Sequence, residues 1–258
     1  MIRNLKTAFL NEVNAAREAS KFSIPSQMNS IKSLPKLLQG FLNSSGYDFS
    51  KKISLAKIQW EDTLLRFTQN SKWNKVTFYQ INFLQEPVRL VYMKYSWLGL
   101  FPLEAIDSYT IGEGNMLVRL MSIFTIQDAK GVQMDLSELV TILAEVIFIP
   151  HYALRKYIIW EQVDEFRILA TVTHNSLIAR GIFHFNSFGE CTLFETQDRY
   201  FTDKTKGYIK RKWIAKVEQY KMNNGVKFPS RFSTAWVDES GEYQYFKGTV
   251  SDIKLYEK

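Results

Sequence analysis

Apolar residues recur at every second position along most of this chain from Ile53 onward, the period of a β-strand rather than a helix. The alternation predicts strands over 53–60, 63–68, 76–84, 88–97, 103–111 and 116–126 in the first half. In the second half it predicts 157–162, 166–173, 177–185, 191–196, 213–221, 232–237, 243–250 and 253–256. The breaks carry turn chemistry: Gln85-Glu86-Pro87, Gly112-Glu113-Gly114-Asn115, His174-Asn175, Asn223-Asn224-Gly225 and the stretch 238–241. The pair 53–60 and 63–68 is expected to fold back around Glu61 and Asp62. Many strands with short Asn, Asp and Gly turns predict meandering antiparallel pairing. Several strands are apolar on both faces. In 177–185, Leu177, Ala179, Phe183 and Phe185 share one face, while Ile178, Arg180, Ile182 and His184 share the other.

Three segments have the helical period instead. Ile2, Leu5, Phe9, Val13 and Ala16 fall on one face of a helix over 2–19. A connector follows around Pro25. A shorter helix fits 34–42, with Pro35 in its first turn and Gly46 beyond its end. The third segment, DLSELVTILAEVIFIP over 135–150, is a long apolar helix set among strands. Asp135 is expected to cap it, Glu138 to complete a capping box, and Pro150 to mark its exit. The predicted fold is α+β and mostly β: a large curved antiparallel sheet with a central helix packed on it and N-terminal helices. Residues 1–46 are expected to form a helical segment packed on a main domain of residues 47–258.

Composition narrows the classes. At 258 residues and 46% hydrophobic content, the chain is long and apolar enough for a sizeable core, which excludes general disorder. The formal charge of +7 suits anionic partners without selecting one. Lys204, Lys206, Lys210, Arg211, Lys212 and Lys216 crowd one stretch, but alternation along a strand divides them between two faces. Cys191 is the only cysteine, so no disulfide forms within the chain. The first twenty residues lack the apolar core of a signal peptide, and no run reaches the ~18 apolar residues of a membrane span. A cytoplasmic location is the expectation.

Catalytic motifs are missing. His151, His174 and His184 show no HExxH spacing, and no cysteine pair offers zinc ligands. Ser187-Phe188-Gly189 lacks the GxSxG elbow, Gly112-Glu113-Gly114 lacks a dinucleotide fingerprint, and no phosphate loop occurs. No catalytic residue, metal or cofactor is implied. The distinctive chemical feature is Glu145, a carboxyl among Leu143, Ala144, Val146, Ile147 and Phe148. Burying it is costly unless it is paired or protonated. Arg89, Arg119, Arg180 and Arg199 are its candidate partners, and a sheet arginine is preferred. Asp107 and Glu104 are the nearest comparable acids on a strand.

A family pattern then becomes visible. Trp73 precedes a strand, and Asp107-Ser108-Tyr109 stands before Gly112-x-Gly114. Ala144-Glu145 lies ahead of Pro150, followed by Trp160, Asp164, Phe185, Gly189 and Arg199. Pro229, Ala235-Trp236, Tyr243, Phe246 and Tyr256 complete the order. This order resembles a widespread bacterial family of unknown function, with the likeness running from Leu34 to the C-terminus. Members of that family often begin with a membrane or signal segment, from which this chain departs. The resemblance implies no known activity. It is compatible with the curved half-barrels of bacterial lipoprotein carriers, in which a helix crosses the concave face and an apolar cavity holds acyl chains. It places Glu145 on the covering helix, and Asp107, Tyr109, Arg199 and Trp236 at the cavity wall or mouth.

The leading expectation is a protein that binds a hydrophobic or amphipathic, lipid-like ligand in a cavity of the curved sheet. Arg180 or Arg199 would meet an anionic head group, and Phe183, Phe185 and Ile147 the tail. Two alternatives stand beside it: an enzyme using Glu145, with Asp107, for acid–base chemistry, and an interaction or structural protein. As partners, nucleic acid is disfavoured, a membrane surface is weakly supported, and the oligomeric state is left open.

Overall fold

The computed structural model describes residues 4–22, 28–97, 100–203 and 205–258. Ile2, the Pro25 connector and Lys204 therefore lie outside the described residues. Helices α1 (Leu5–Phe22) and α2 (Lys36–Ser44) come first. Strands β1 (Ile53–Leu65), β2 (Asn74–Lys75), β3 (Thr77–Phe83), β4 (Val88–Trp97), β5 (Phe101–Thr110), β6 (Glu113–Leu120) and β7 (Phe124–Ala129) follow. Helix α3 (Val132–Ala144) leads to β8 (Ile158–Gln162), β9 (Arg167–His174), β10 (Leu177–Phe185) and β11 (Cys191–Thr196). A small ribbon, β12 (Tyr200–Asp203) and β13 (Gly207–Lys210), precedes the long strands β14 (Lys212–Asn223), β15 (Val226–Asp238) and β16 (Gly241–Glu257).

All but the ribbon join one antiparallel sheet of 14 strands, in the order β7-β6-β5-β4-β3-β1-β16-β15-β14-β11-β10-β9-β8, with β2 paired to β1 alone. The β1–β16 pair joins the first meander to the last strand of the chain. The sheet is a curved half-barrel with a central helix, as the sequence pattern and the resemblance led us to expect.

The two faces of the sheet carry different helices. On one, Leu5, Phe9 and Val13 of α1 bury against Leu55, Phe83, Leu90, Tyr92 and Ile106. On the other, α3 fills the concavity. Its Leu139, Val140, Ile142 and Leu143 are fully buried in a cluster with Ile168, Ala170, Val172, Phe183 and Phe194. Each such side chain contributes roughly 1.5–3 kcal/mol by leaving water. Helix α2 adds Leu38, Phe41 and Leu42 to the same cluster.

The structure corrects several expected boundaries. Residues 53–65 form one strand, not a hairpin: Asp62 takes a left-handed backbone (φ 46°), and a bulge there keeps β1 in register with β16. Likewise 243–250 and 253–256 are parts of the single strand β16. The expected strand 116–126 is a hairpin, turned at Met121 and Ser122 with φ of 54° and 60°. Such φ values are uncommon without glycine, and no glycine, proline or asparagine marks a turn there. Helix α3 starts three residues earlier and ends at Ala144, continuing as 3-10 turns over Glu145–Ile147 and Pro150–Leu154.

Asp135 and Glu138 do not cap the helix. Gly131 holds the cap position, and Asp135 accepts the Gly114 backbone N–H of β6 at 2.7 Å. That bond needs β6 and α3 to lie close together. A Cβ on Gly114 would sit 2.6 Å from the Met134 carbonyl oxygen.

Candidate functional site

Where α3 crosses the first meander, the concave sheet face turns polar. Phe78 is followed at alternate positions of β3 by Gln80 and Asn82, both buried. Asn82 pairs in register with Arg89 of β4, and Asp107 of β5 pairs with Val91, two residues further along β4. From above, the seven-residue spacing of Glu138 and Glu145 brings both acids to the same side of the helical segment.

Arg89 is the centre of the arrangement. Its Nη1 donates to Asp107 Oδ2 at 2.7 Å and to Glu138 Oε2 at 3.2 Å, and its Nε donates to Glu145 Oε1 at 2.6 Å. Gln80 donates to Glu145 Oε1 at 2.8 Å and Asn82 to Glu145 Oε2 at 2.6 Å. A second guanidinium, Arg199 between β11 and β12, stands 3.6 Å from Glu138 Oε1. It donates to the Ser137 carbonyl at 2.8 Å and to Thr141 Oγ1, and lies over the Trp213 ring at 4.7 Å.

Three carboxyls thus face two guanidiniums in a water-poor place. Burial alone would weaken the proton's hold on Arg89, but Glu145, Asp107 and Glu138 reverse this and keep it charged. Burial, then the nearby Asp107 carboxylate, pushes Glu138 up to about 8. The cluster therefore balances its charge by holding a proton on Glu138 at neutral pH.

Two cavities adjoin this cluster. The inner one, about 140 Å³, is walled by the rings of Trp60, Phe78, Phe148, Trp213, Phe232 and Phe246. Its polar border includes Arg89, Asp107, Glu145, Arg199 and Thr234. The outer one, about 370 Å³, runs over Leu65, Val76, Met93, Leu103, Ala105 and Val118 toward the β12–β13 ribbon, which adds Tyr200, Phe201 and Tyr208. Leu65, Met93, Met116, Arg199 and Tyr245 line both, so the two chambers lie side by side.

The residues singled out in the sequence fall into three groups. Glu145 and Asp107 border the inner chamber, Trp236 the outer, and Arg199 both. Tyr109, Phe183 and Phe185 are buried but line neither chamber. Tyr109 shares a 2.9 Å hydrogen bond with His174 Nδ1, Phe183 packs on Phe194 at 4.8 Å, and Phe185 on Phe41 at 5.6 Å. Arg180 is exposed on the outer face of β10. Ile147 is buried in the main core. Gln80 and Asn82 were not anticipated, although two amides at alternate positions after Phe78 are a readable signal. The sequence offers Glu138 as a capping residue and as a neighbour of Glu145 on one helix face; the structure puts it in the ion cluster.

The basic stretch is largely neutralised. Lys210 pairs with Asp198 at 3.0 Å, Arg211 with Asp238 at 3.2 Å and Lys216 with Glu242 at 2.6 Å, and Lys212 meets Glu195. Among the described residues, no group of three or more His, Cys, Asp or Glu is arranged to hold a metal ion. No described helix is long and apolar enough to cross a membrane.

Fold and site together define a half-barrel whose concave face holds a helix, a charged cluster and a two-chambered cavity. The chain matches the family of unknown function DUF6920 over residues 32–255, and it belongs to that family. No curated protein matches it. Three solved structures are similar in fold. An outer membrane lipoprotein-sorting protein domain from Vibrio parahaemolyticus shares 9% identity at a TM-score of 0.42, covering 88% of this chain and 93% of its own. A LolA superfamily protein from Nitrosomonas europaea shares 12% at 0.43, covering 86% and 94%. A DUF1329 family protein from Desulfovibrio piger shares 7% at 0.42, covering 88% and 93%. The expected cytoplasmic location does not stand beside an outer membrane lipoprotein-sorting relative in fold. A lone cysteine and a charged first segment do not place a chain in any compartment.

Proposed function

We propose that this protein binds an amphipathic, lipid-like ligand within the half-barrel, its tail in the outer chamber and its polar end at the inner one. The observation that carries this reading is the wall that the two chambers share: a largely apolar space of about 370 Å³ beside a smaller one bordered by charge. The outer volume lies within the range of ~300–1,000 Å³ typical of small-molecule sites, and an apolar lining with a few fixed polar groups is their usual composition. The helix and the sheet hold this space open because the buried ion cluster braces one against the other, Arg89 from β4 and Glu138 from α3. Glu145 serves that bracing: both its oxygens are engaged by Gln80, Asn82 and Arg89. Native mass spectrometry of the purified protein, paired with organic extraction, tests the reading. A co-purifying or added single-tailed amphiphile bound one to one is expected. Repeated absence of any such species, with acyl ligands supplied, would count against it.

A further inference from the structure

The two arginines of the inner chamber suggest an anionic head group at first sight, but four of their six side-chain nitrogens already face partners. Arg89 spends Nε and Nη1 on three carboxyls. Arg199 spends its Nη1 on Ser137 and Thr141, and its Nη2 faces Glu138. What remains open includes acceptor capacity. Asp107 is 92% buried, with a relative exposure of 8%, and its Oδ1 has no hydrogen-bond partner. Thr234 Oγ1, on β15 across the same chamber, is also without one. The rest of the wall is aromatic, and ring faces attract cations. Arg199 Nε, also unpartnered, belongs to a guanidinium that lies over Trp213, and the Thr234 hydroxyl can turn its lone pairs to a donor.

Charge points the same way. Asp107 on β5, Glu138 on α3 and Glu145 beyond it outnumber Arg89 on β4 and Arg199 after β11 by one. Once Glu138 ionises, an anion would add to that excess, whereas a cation would cancel it.

We infer that the inner chamber accepts a cationic head, a primary ammonium on an alkyl tail, in preference to a carboxylate or phosphate. This rests on the reading that an amphiphile occupies the two chambers. The ammonium offers three donors and no acceptor. Asp107 Oδ1 and Thr234 Oγ1 take two of them, and the rings of the chamber wall cover the rest. The incoming charge replaces the proton that Glu138 holds at neutral pH. Affinity for the amine therefore rises with pH by up to about tenfold between about pH 7 and about pH 9, where Glu138 ionises while the amine stays charged.

Titration calorimetry with dodecylamine, dodecanol and dodecanoate, which share one tail length, separates the outcomes. The amine is expected to bind at least tenfold tighter than the carboxylate, with the alcohol between them. Asp107→Asn, which can still accept from Arg89 but turns a donor into the chamber, is expected to erase that preference. Dodecanoate binding as tightly as the amine would overturn the cationic head and leave the amphipathic site standing. Amine binding unaltered by Asp107→Asn would place it elsewhere and overturn the inference too. Binding of none of the three would overturn the amphipathic reading itself.

Discussion

Glu138 links the packing of this protein to its acid–base behaviour. In the fold its carboxyl titrates at about 8, whereas the unfolded chain returns it to its ordinary value of 4.5. Between those values the folded state holds a proton that the unfolded state has lost. Stability from this group therefore falls as pH rises from about 4.5 to about 8 and levels off above that. Glu138→Gln keeps an acceptor for Arg89 and removes the titration. Denaturant midpoints are expected to fall less between pH 5 and pH 8.5 in the variant than in the parent, by an amount on the order of a few kcal/mol in stability. Identical slopes would show that Glu138 is not the proton-holding group. At this scale the sequence was partly legible. A carboxyl in an apolar helix announced that Glu145 needed a partner, and Arg89 was among the arginines that reading named. Gln80 and Asn82 share one face of their strand with Phe78, but alternation alone does not say whether that face meets water or the interior. Only the curvature of the sheet turns that face inward.

At the scale of elements, the contact between β6 and α3 sets where the helix lies and so how wide the cavity is. Gly114 allows that contact. An added methyl group would meet the Met134 carbonyl oxygen at 2.6 Å and the Asp135 Cα at 3.0 Å, both backbone atoms that cannot turn aside. Gly114→Ala is expected to destabilise the protein by roughly 1–3 kcal/mol, the usual cost of overpacking, read from thermal or denaturant unfolding. An unchanged midpoint would mean that the helix is free to shift. Elements with strict alternation and glycine or asparagine turns, such as β14–β15 around Asn224-Gly225, were legible from residue pattern alone. Elements shaped by tertiary pairing were not. The turn at Met121-Ser122 has no glycine, proline or asparagine, and the unbroken β1 is set by its 17-residue partner β16 rather than by its own Glu61-Asp62.

For the whole molecule, the half-barrel separates two jobs by face. Helix α1 closes one face of the sheet with apolar contacts. Helix α3 spans the concave face, contributing to the core along most of its length and meeting the charged cluster through Glu138. The cavity lies where the first meander, the β12–β13 ribbon and the last strands meet, three regions far apart in sequence. That distance is why the sequence pointed to a cavity but named only Arg199, Trp236, Asp107 and Glu145 of its lining. Phe183 and Phe185, read as tail contacts, instead fill the core of the second half. The most direct test of the central claim is calorimetric titration of dodecylamine into the parent protein and into Ala105→Trp, which fills the outer chamber from β5. Saturable one-to-one binding to the parent, weakened at least tenfold in a variant that still unfolds cooperatively, is the predicted result. Equal binding by both proteins would contradict a ligand site inside the half-barrel.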